Sequence, residues 1–218
     1  MKKIGIIFDV DGTLWNVNNS VLKGWNIFLK MQPDAKELFT IESMTATMGL
    51  TPVQIADKWF DYIEAPRRYK WIDGCIEQEI EVIRKDGPEL FADEENVLES
   101  LSKKYNLYIL SNAFSGYAEL MYETTGFGRF FEDQVCYGDN HKSKTENIKL
   151  IMEKHRLDCA CYIGDTRGDM KYTVDAGIPF IHARYGFDKD VECKYYINCF
   201  NELEDVIKKI EEEVWNQE

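Results

Sequence analysis

A chain of 218 residues, 44% hydrophobic and 30% charged, can build one full domain and a smaller one around a sizeable core. Its net charge of −13 excludes a general binder of nucleic acid or anionic membrane, because phosphate groups attract basic surfaces. No apolar run reaches membrane-spanning length, and the stretch between Lys3 and Asp9 is shorter than a secretory apolar region.

The first apolar run, residues 4–8, is β-branched and short, which predicts a buried strand. Asp9, Val10, Asp11, Gly12 and Thr13 follow. Beyond Leu14 the periodicity changes to that of helices. Ser20 is the expected cap of a helix carrying Val21, Leu22, Trp25, Phe28 and Leu29, which breaks before Pro33. A second helical stretch is expected over 35–48, ending at Gly49. Thr51 and Pro52, a cap and a proline at the first helical position, open a third. Pro66, Arg67 and Arg68 are expected to interrupt it. A fourth helix over 69–85 stops at Asp86, Gly87 and Pro88. Its Glu77, Glu79 and Glu81 read as a solvated acidic face. No strand pattern occurs between 15 and 87, so this region is expected to be an all-helical insert.

From Phe91 onward strands and helices alternate. Helices are predicted over 94–104, 115–125, 143–155 and 168–176, with strands over 107–110, 134–137, 160–163 and 179–182. An edge strand at 195–198 and a final helix capped by Asn201 complete the series. Such alternation implies an α/β fold, a parallel sheet covered on both faces. The expected domains are a discontinuous α/β core, residues 1–14 and 88–218, and a helical cap, residues 15–87.

Ligands of open parallel sheets sit beyond the carboxyl ends of the strands. Asp9, Asp11 and Thr13 follow the first strand, Ser111 and Asn112 the second, and the segment from Gly164 to Asp169 the fourth. Lys144, with Lys142 nearby, begins a helix. Asp9 and Asp11 leave an extended strand on the same side and repel each other unless a cation or a phosphoryl group with its cation lies between them. Each segment alone has an ordinary structural reading. Asp-Val-Asp-Gly is a common turn, Ser111 and Asn112 can cap a helix, and Asp165 and Asp169 can stabilise a helix N-terminus. All four at one sheet rim point instead to a convergent polar site.

In that order, the Asp9–Thr13 segment, Ser111, Lys144 and the Gly164–Asp169 segment resemble the four motifs of the haloacid-dehalogenase (HAD) superfamily. The Asp-x-Asp-Gly-Thr form resembles its phosphatase and phosphomutase branch, and the helical insert resembles the type 1 cap of phosphoglycolate-phosphatase-like members. The resemblance implies a HAD-like Rossmannoid core and a magnesium-dependent hydrolase of small phosphate monoesters. Asp9 would be the nucleophile, forming an aspartyl-phosphate, and Asp11 the general acid and base. Mg2+ would be held by Asp9, the Asp11 backbone carbonyl and Asp165, with Asp169 behind them. Thr13, Ser111, Asn112 and Lys144 would bind phosphate. Lys144 departs from the family pattern in being followed by Thr145, which leaves Lys142 as a competitor. Position 16, acidic in many relatives with this cap, is Asn16.

The family default for substrate is phosphoglycolate. A phosphomutase of the β-phosphoglucomutase type and a non-catalytic phosphate- or metal-binding module are the alternatives. Arg67, Arg68 and Lys70 could meet an anionic leaving group, or could be solvated charges. Trp15, Trp25, Trp59, Phe60 and Trp71 read as the cap's own core, with Trp15 near the hinge. Six cysteines without paired metal spacing fit reduced thiols and a cytoplasmic location. The expected partner is a small phosphorylated metabolite, with neither nucleic acid nor membrane.

Overall fold

A computed structural model describes residues 2–216. The strands are β1 (Ile4–Phe8), β2 (Asn106–Ser111), β3 (Phe131–Cys136), β4 (Cys159–Gly164), β5 (Phe180–Ala183) and β6 (Tyr195–Ile197). They form one sheet in the order β3-β2-β1-β4-β5-β6, and every pairing is parallel. β1 lies inside the sheet, which is why it reads as an unbroken apolar run rather than an alternating one. Phe8 pairs with Ile109 on one side and with Ile163 on the other. That register brings the ends of β1, β2 and β4 to one rim, so the residues that follow them meet.

Ten α-helices surround the sheet or form the insert among the described residues. They are α1 (Asn18–Lys30), α2 (Ile41–Thr45), α3 (Pro52–Trp59), α4 (Ala65–Asp86), α5 (Glu94–Ser102), α6 (Tyr117–Thr125), α7 (Tyr137–Asn140), α8 (Lys144–His155), α9 (Arg167–Ala176) and α10 (Leu203–Ile210). Side-chain alternation divides the core. Ile6, Phe8, Leu107, Ile109 and Ile163 pack with Leu98, Met121 and Ile207 from α5, α6 and α10 on one face. Ile7, Tyr108, Leu110 and Tyr162 pack with Ile148 and Ile151 of α8 on the other.

The helical insertion after β1 matches the expectation, and its details differ for local reasons. α1 begins two residues before Ser20, whose side chain is buried inside the helix rather than capping it. The second stretch reduces to the five residues of α2, and Gly49 takes a left-handed φ of 78°. Thr51 caps α3 as expected, through a reciprocal bond pair with Gln54. Pro66, Arg67 and Arg68 do not form a loop. They lie in the first turn of α4, where proline fits because its missing N–H has no intrahelical acceptor there. The final helix is preceded by a 3-10 turn, Phe200–Glu202, and Asn201 does not cap it. α7 has too few residues to show periodicity and was not foreseen.

The insert joins the core through two antiparallel crossings. Asn16 and Glu89 exchange backbone hydrogen bonds of 2.8 and 3.0 Å. Just beyond, Glu94 is buried at 2% exposure, accepts from the Phe91 N–H, and leaves Oε1 without a partner. Burial pushes its pKa up to about 8. The folded protein therefore keeps a proton that the unfolded chain releases, so folding stability falls as pH rises from about 4.5 toward about 8. Denaturant titrations across this window, with chelator present, are expected to show a shallower fall for Glu94→Gln, by up to ~1.4 kcal/mol per pH unit.

Candidate active site

Asp9 is the first residue past β1. Its N–H donates to the Ile163 carbonyl at 2.8 Å, so the backbone stays in sheet register up to the carboxylate. The chain then turns, with the Val10 carbonyl accepting from the N–H groups of Thr13, Leu14 and Trp15. Gly12 has a φ of 75° and packs directly against the Asp165 carboxylate, where a Cβ has no room. This is why a glycine stands between the first motif and the fourth.

Lys144 is the first residue of α8, whose cap is a reciprocal pairing of Ser143 and Glu146. The side chain runs inward, is 1% exposed, and donates through Nζ to Asp9 Oδ1 at 2.8 Å and to Asp169 Oδ1 at 2.6 Å. Lys142 is exposed, so Lys144 is the one of the two lysines that lies at the buried acids. Burial would lower the Lys144 pKa, but Asp169 and Asp9 outweigh it and hold the ammonium well above its ordinary value. Burial raises Asp9 to about 7 against the pull of Lys144.

Asp165 follows β4 and is completely buried. Oδ2 accepts from the Phe187 N–H at 2.7 Å, whereas Oδ1 has no partner among the described residues. Asp169, in the first turn of α9, uses Oδ2 to accept from the Thr166 N–H at 3.0 Å and the Thr166 hydroxyl at 2.5 Å. One oxygen from each of Asp9, Asp165 and Asp169 lies within 4.8 Å of the others, and all three residues are buried. Burial, then the charges of Asp169 and Asp9, push the Asp165 pKa far up. An orphaned carboxylate oxygen beside two more acids fits a hard cation with oxygen ligands, so this cluster could hold a metal ion.

Asp11 has a different setting. Its Oδ1 accepts from Trp15 Nε1 at 2.9 Å and from the Tyr117 hydroxyl at 2.5 Å, and Trp15 and Tyr117 pack edge to face. Oδ2 has no hydrogen bond to the described residues. Burial raises the Asp11 pKa, opposed by the bonds from Tyr117 and Trp15. Two adjacent acids are thus handled differently, one by an ammonium group and the other by neutral donors.

These groups open into a cavity between core and insert, lined by Asp9, Asp11, Ser111, Asn112 and Lys144 on the core side. Thr13 does not line it. Its hydroxyl is fully buried without a partner, and its carbonyl accepts from Tyr185. The Asn112 carboxamide donates to the Gly49 carbonyl of the insert at 2.7 Å, so it links cap and core. Arg67, Arg68 and Lys70 do not line the cavity. Arg67 pairs with Asp34 and Arg68 with Asp57 at 3.1 Å, and Lys70 is exposed, so the solvated-charge reading holds.

Three residues of the site were not identified from sequence. Tyr117 is 106 positions from the aspartate it holds, and no local pattern marks it. Trp15 was placed near the hinge but not on Asp11. Glu79 is not on a solvated face: Glu77 and Glu81 are exposed, while Glu79 is 5% exposed and lines the cavity. The helical spacing of Ile72, Ile76, Glu79 and Ile83, one stripe of α4, was the available signal.

An α/β sheet with acids and a lysine at its carboxyl rim, roofed by a helical insertion after the first strand, defines the class of capped hydrolases with a HAD core. The model of the haloacid dehalogenase-like hydrolase family matches residues 6–183, and the chain belongs to this family. Among solved structures it is similar to a haloacid dehalogenase-like hydrolase from Streptococcus pneumoniae. The identity is 21% and the TM-score 0.78, covering 94% of this chain and 98% of that one. It is also similar to a predicted phosphatase from Clostridium acetobutylicum, with 18% identity and a TM-score of 0.76 over 96% and 100% of the two chains. A predicted phosphoglycolate phosphatase from Haemophilus somnus gives 18% identity and 0.76 over 95% and 98%. No curated protein matches the sequence significantly.

Removing Lys144 leaves Asp9 and Asp169 buried without their shared counter-charge. Lys144→Ala is expected to lower the unfolding free energy by ~3–5 kcal/mol in urea titrations. A divalent cation that binds the folded state raises the wild-type melting temperature, by the equivalent of ~2.7 kcal/mol at one hundred times its dissociation constant. Asp165→Asn, which removes charge at the orphaned oxygen, is expected to abolish most of that rise in scanning calorimetry.

Proposed function

We propose that the chain is a Mg2+-dependent phosphatase of small phosphate monoesters acting through an aspartyl-phosphate on Asp9. The observation that supports this reading is the buried arrangement of Asp9, Asp165 and Asp169 around Lys144, beneath a cavity closed by the insert. Three carboxylates in this space favour a divalent cation. A phosphoryl dianion then meets the one remaining base, Lys144. Mg2+, bound by Asp9, Asp165 and the Asp11 carbonyl, would supply Lewis-acid stabilisation of the phosphoryl oxygens.

In the first half-reaction an Asp9 carboxylate oxygen bonds to phosphorus as the ester P–O bond breaks. The electron pair leaves on the ester oxygen, and Asp11 delivers its proton there, releasing the alcohol. In the second, Asp11 takes a proton from a water that attacks phosphorus. The Asp9–phosphorus bond breaks and inorganic phosphate leaves. A raised Asp11 pKa suits both steps, and the Trp15 and Tyr117 bonds to Oδ1 fix which oxygen is free to act. Lys144 orients Asp9 and stabilises charge on the transferring group, and Ser111, which lines the same cavity, would join it. Asp169 holds Lys144 from behind. We also propose that residues 15–87 act as the cap, pivoting at the Asn16–Glu89 crossing and excluding water when closed.

Phosphate release from alkyl and aryl monoesters with and without EDTA tests this directly. EDTA is expected to abolish turnover and added Mg2+ to restore it. Asp9→Asn should lose at least ~10³-fold in kcat, and near wild-type activity in that variant would remove Asp9 as nucleophile. Asp11→Asn should lose ~10²- to 10⁴-fold on alkyl esters, and much less on p-nitrophenyl phosphate, whose leaving group departs without a proton.

A further inference from the structure

The roof of the cavity carries the information on leaving-group choice, because the core side is occupied by the phosphoryl chemistry. We infer that Glu79 determines specificity there. Its carboxyl accepts a hydrogen bond from a hydroxyl or ammonium group on an otherwise apolar leaving group, and the pocket turns away leaving groups that carry a carboxylate. This inference rests on the phosphatase reading above and adds the chemical class of the substrate.

Four observations support it. The insert contributes Val21, Leu50, Ile55, Ile72 and Ile76 to the cavity, and these offer no hydrogen bonds from their side chains. Lys144 is the one base that lines it among the described residues, and both of its ion pairs are with the acids below. Among the described residues, no basic residue of the insert lines the cavity, and Arg67 and Arg68 pair with Asp34 and Asp57. Finally, Glu79 is a buried acid with only half of its hydrogen bonding used. Oε2 accepts from Trp25 Nε1 at 2.7 Å, and Oε1 has no hydrogen bond to the described residues. Buried carboxyl oxygens need donors, so a ligand that brings one is favoured over a ligand that brings only acceptors.

The position is built rather than incidental. Gly24 of α1 packs against the α4 backbone at Glu79, where a Cβ would stand 2.7 Å from both the Glu79 nitrogen and its Cα. That close crossing sets Trp25 beside the carboxyl. Burial, and behind it the charge of Asp11, push the Glu79 pKa up to about 8, and a second carboxylate arriving here would find no free basic side chain among the described residues of the roof to pair with.

The test is a series of small phosphate esters of similar length that carry different end groups. 2-Hydroxyethyl phosphate ends in a hydroxyl, O-phosphoethanolamine in an ammonium, propyl phosphate in a methyl, and 2-phosphoglycolate in a carboxylate. The wild-type kcat/KM for the hydroxyl or the ammonium ester should exceed that for 2-phosphoglycolate by at least ~10-fold, and which of the two is higher identifies the donor. In Glu79→Gln, the ammonium ester is expected to lose at least ~10-fold relative to propyl phosphate, each ratio being taken within one protein so that any loss of folded fraction cancels. A wild-type enzyme that turns over 2-phosphoglycolate as well as the hydroxyl and ammonium esters would overturn the inference. So would unchanged ratios in the variant, or turnover of p-nitrophenyl phosphate with none of the four aliphatic esters. Absence of turnover of every ester, p-nitrophenyl phosphate included, would overturn the phosphatase reading instead.

Discussion

The Lys144 ammonium group, buried between Asp9 and Asp169, is the interaction on which the site depends. Taking these charges out of water is costly, and each would be untenable there without the others. The helix start at Ser143 aims the lysine inward, the end of β1 presents Asp9, and the first turn of α9 presents Asp169. Three segments far apart in sequence must therefore be in register for any of the three charges to be buried. The parallel pairing of β1 with β2 and β4 supplies that register. Even so, one ammonium cannot balance Asp9, Asp165 and Asp169 together. The remaining negative charge, concentrated at the orphaned Asp165 oxygen, is what suits the site to a divalent cation.

Environment separates the two aspartates of the first motif. Asp9 is bonded to the Lys144 ammonium, whose pull opposes the burial that raises its pKa, and it shares a cluster with Asp165 and Asp169. Asp11 is tied to the indole of Trp15 and the phenol of Tyr117, a neutral pair that fixes its orientation while burial favours its protonated form. The proposed nucleophile and proton carrier are thus the same residue type two positions apart with unlike partners, an ammonium group for one and neutral donors for the other.

The insert reverses the usual relation of charge to burial. Its basic residues lie outside the cavity, Arg67 and Arg68 among them in ion pairs, while an acid occupies its buried stripe beside Trp25. Such a roof has the wrong sign for an anionic leaving group. A fold shared with predicted phosphoglycolate phosphatases does not by itself carry substrate choice, which the series of esters decides.

What the sequence determined was whatever rests on local patterns. The apolar run ending in Asp9 and Asp11, the alternation of strands and helices after Phe91, the cap at Thr51, and the helical insert were all legible, because backbone propensity and periodicity act over a few residues. The strand-end rule then placed Asp9, Ser111, Lys144 and Asp165 together without coordinates. Only the tertiary structure buried Lys144 and left Lys142 exposed, kept Thr13 out of the cavity lining, bonded Asn112 to the insert, and joined Tyr117 to Asp11. It alone turned Glu79 inward while Glu77 and Glu81 stayed in water. The physical reason is common to all of these. Burial and partnership of a polar group depend on which distant segment packs over it, and in the insert that is set by the crossing of two helices at Gly24, which no local pattern encodes.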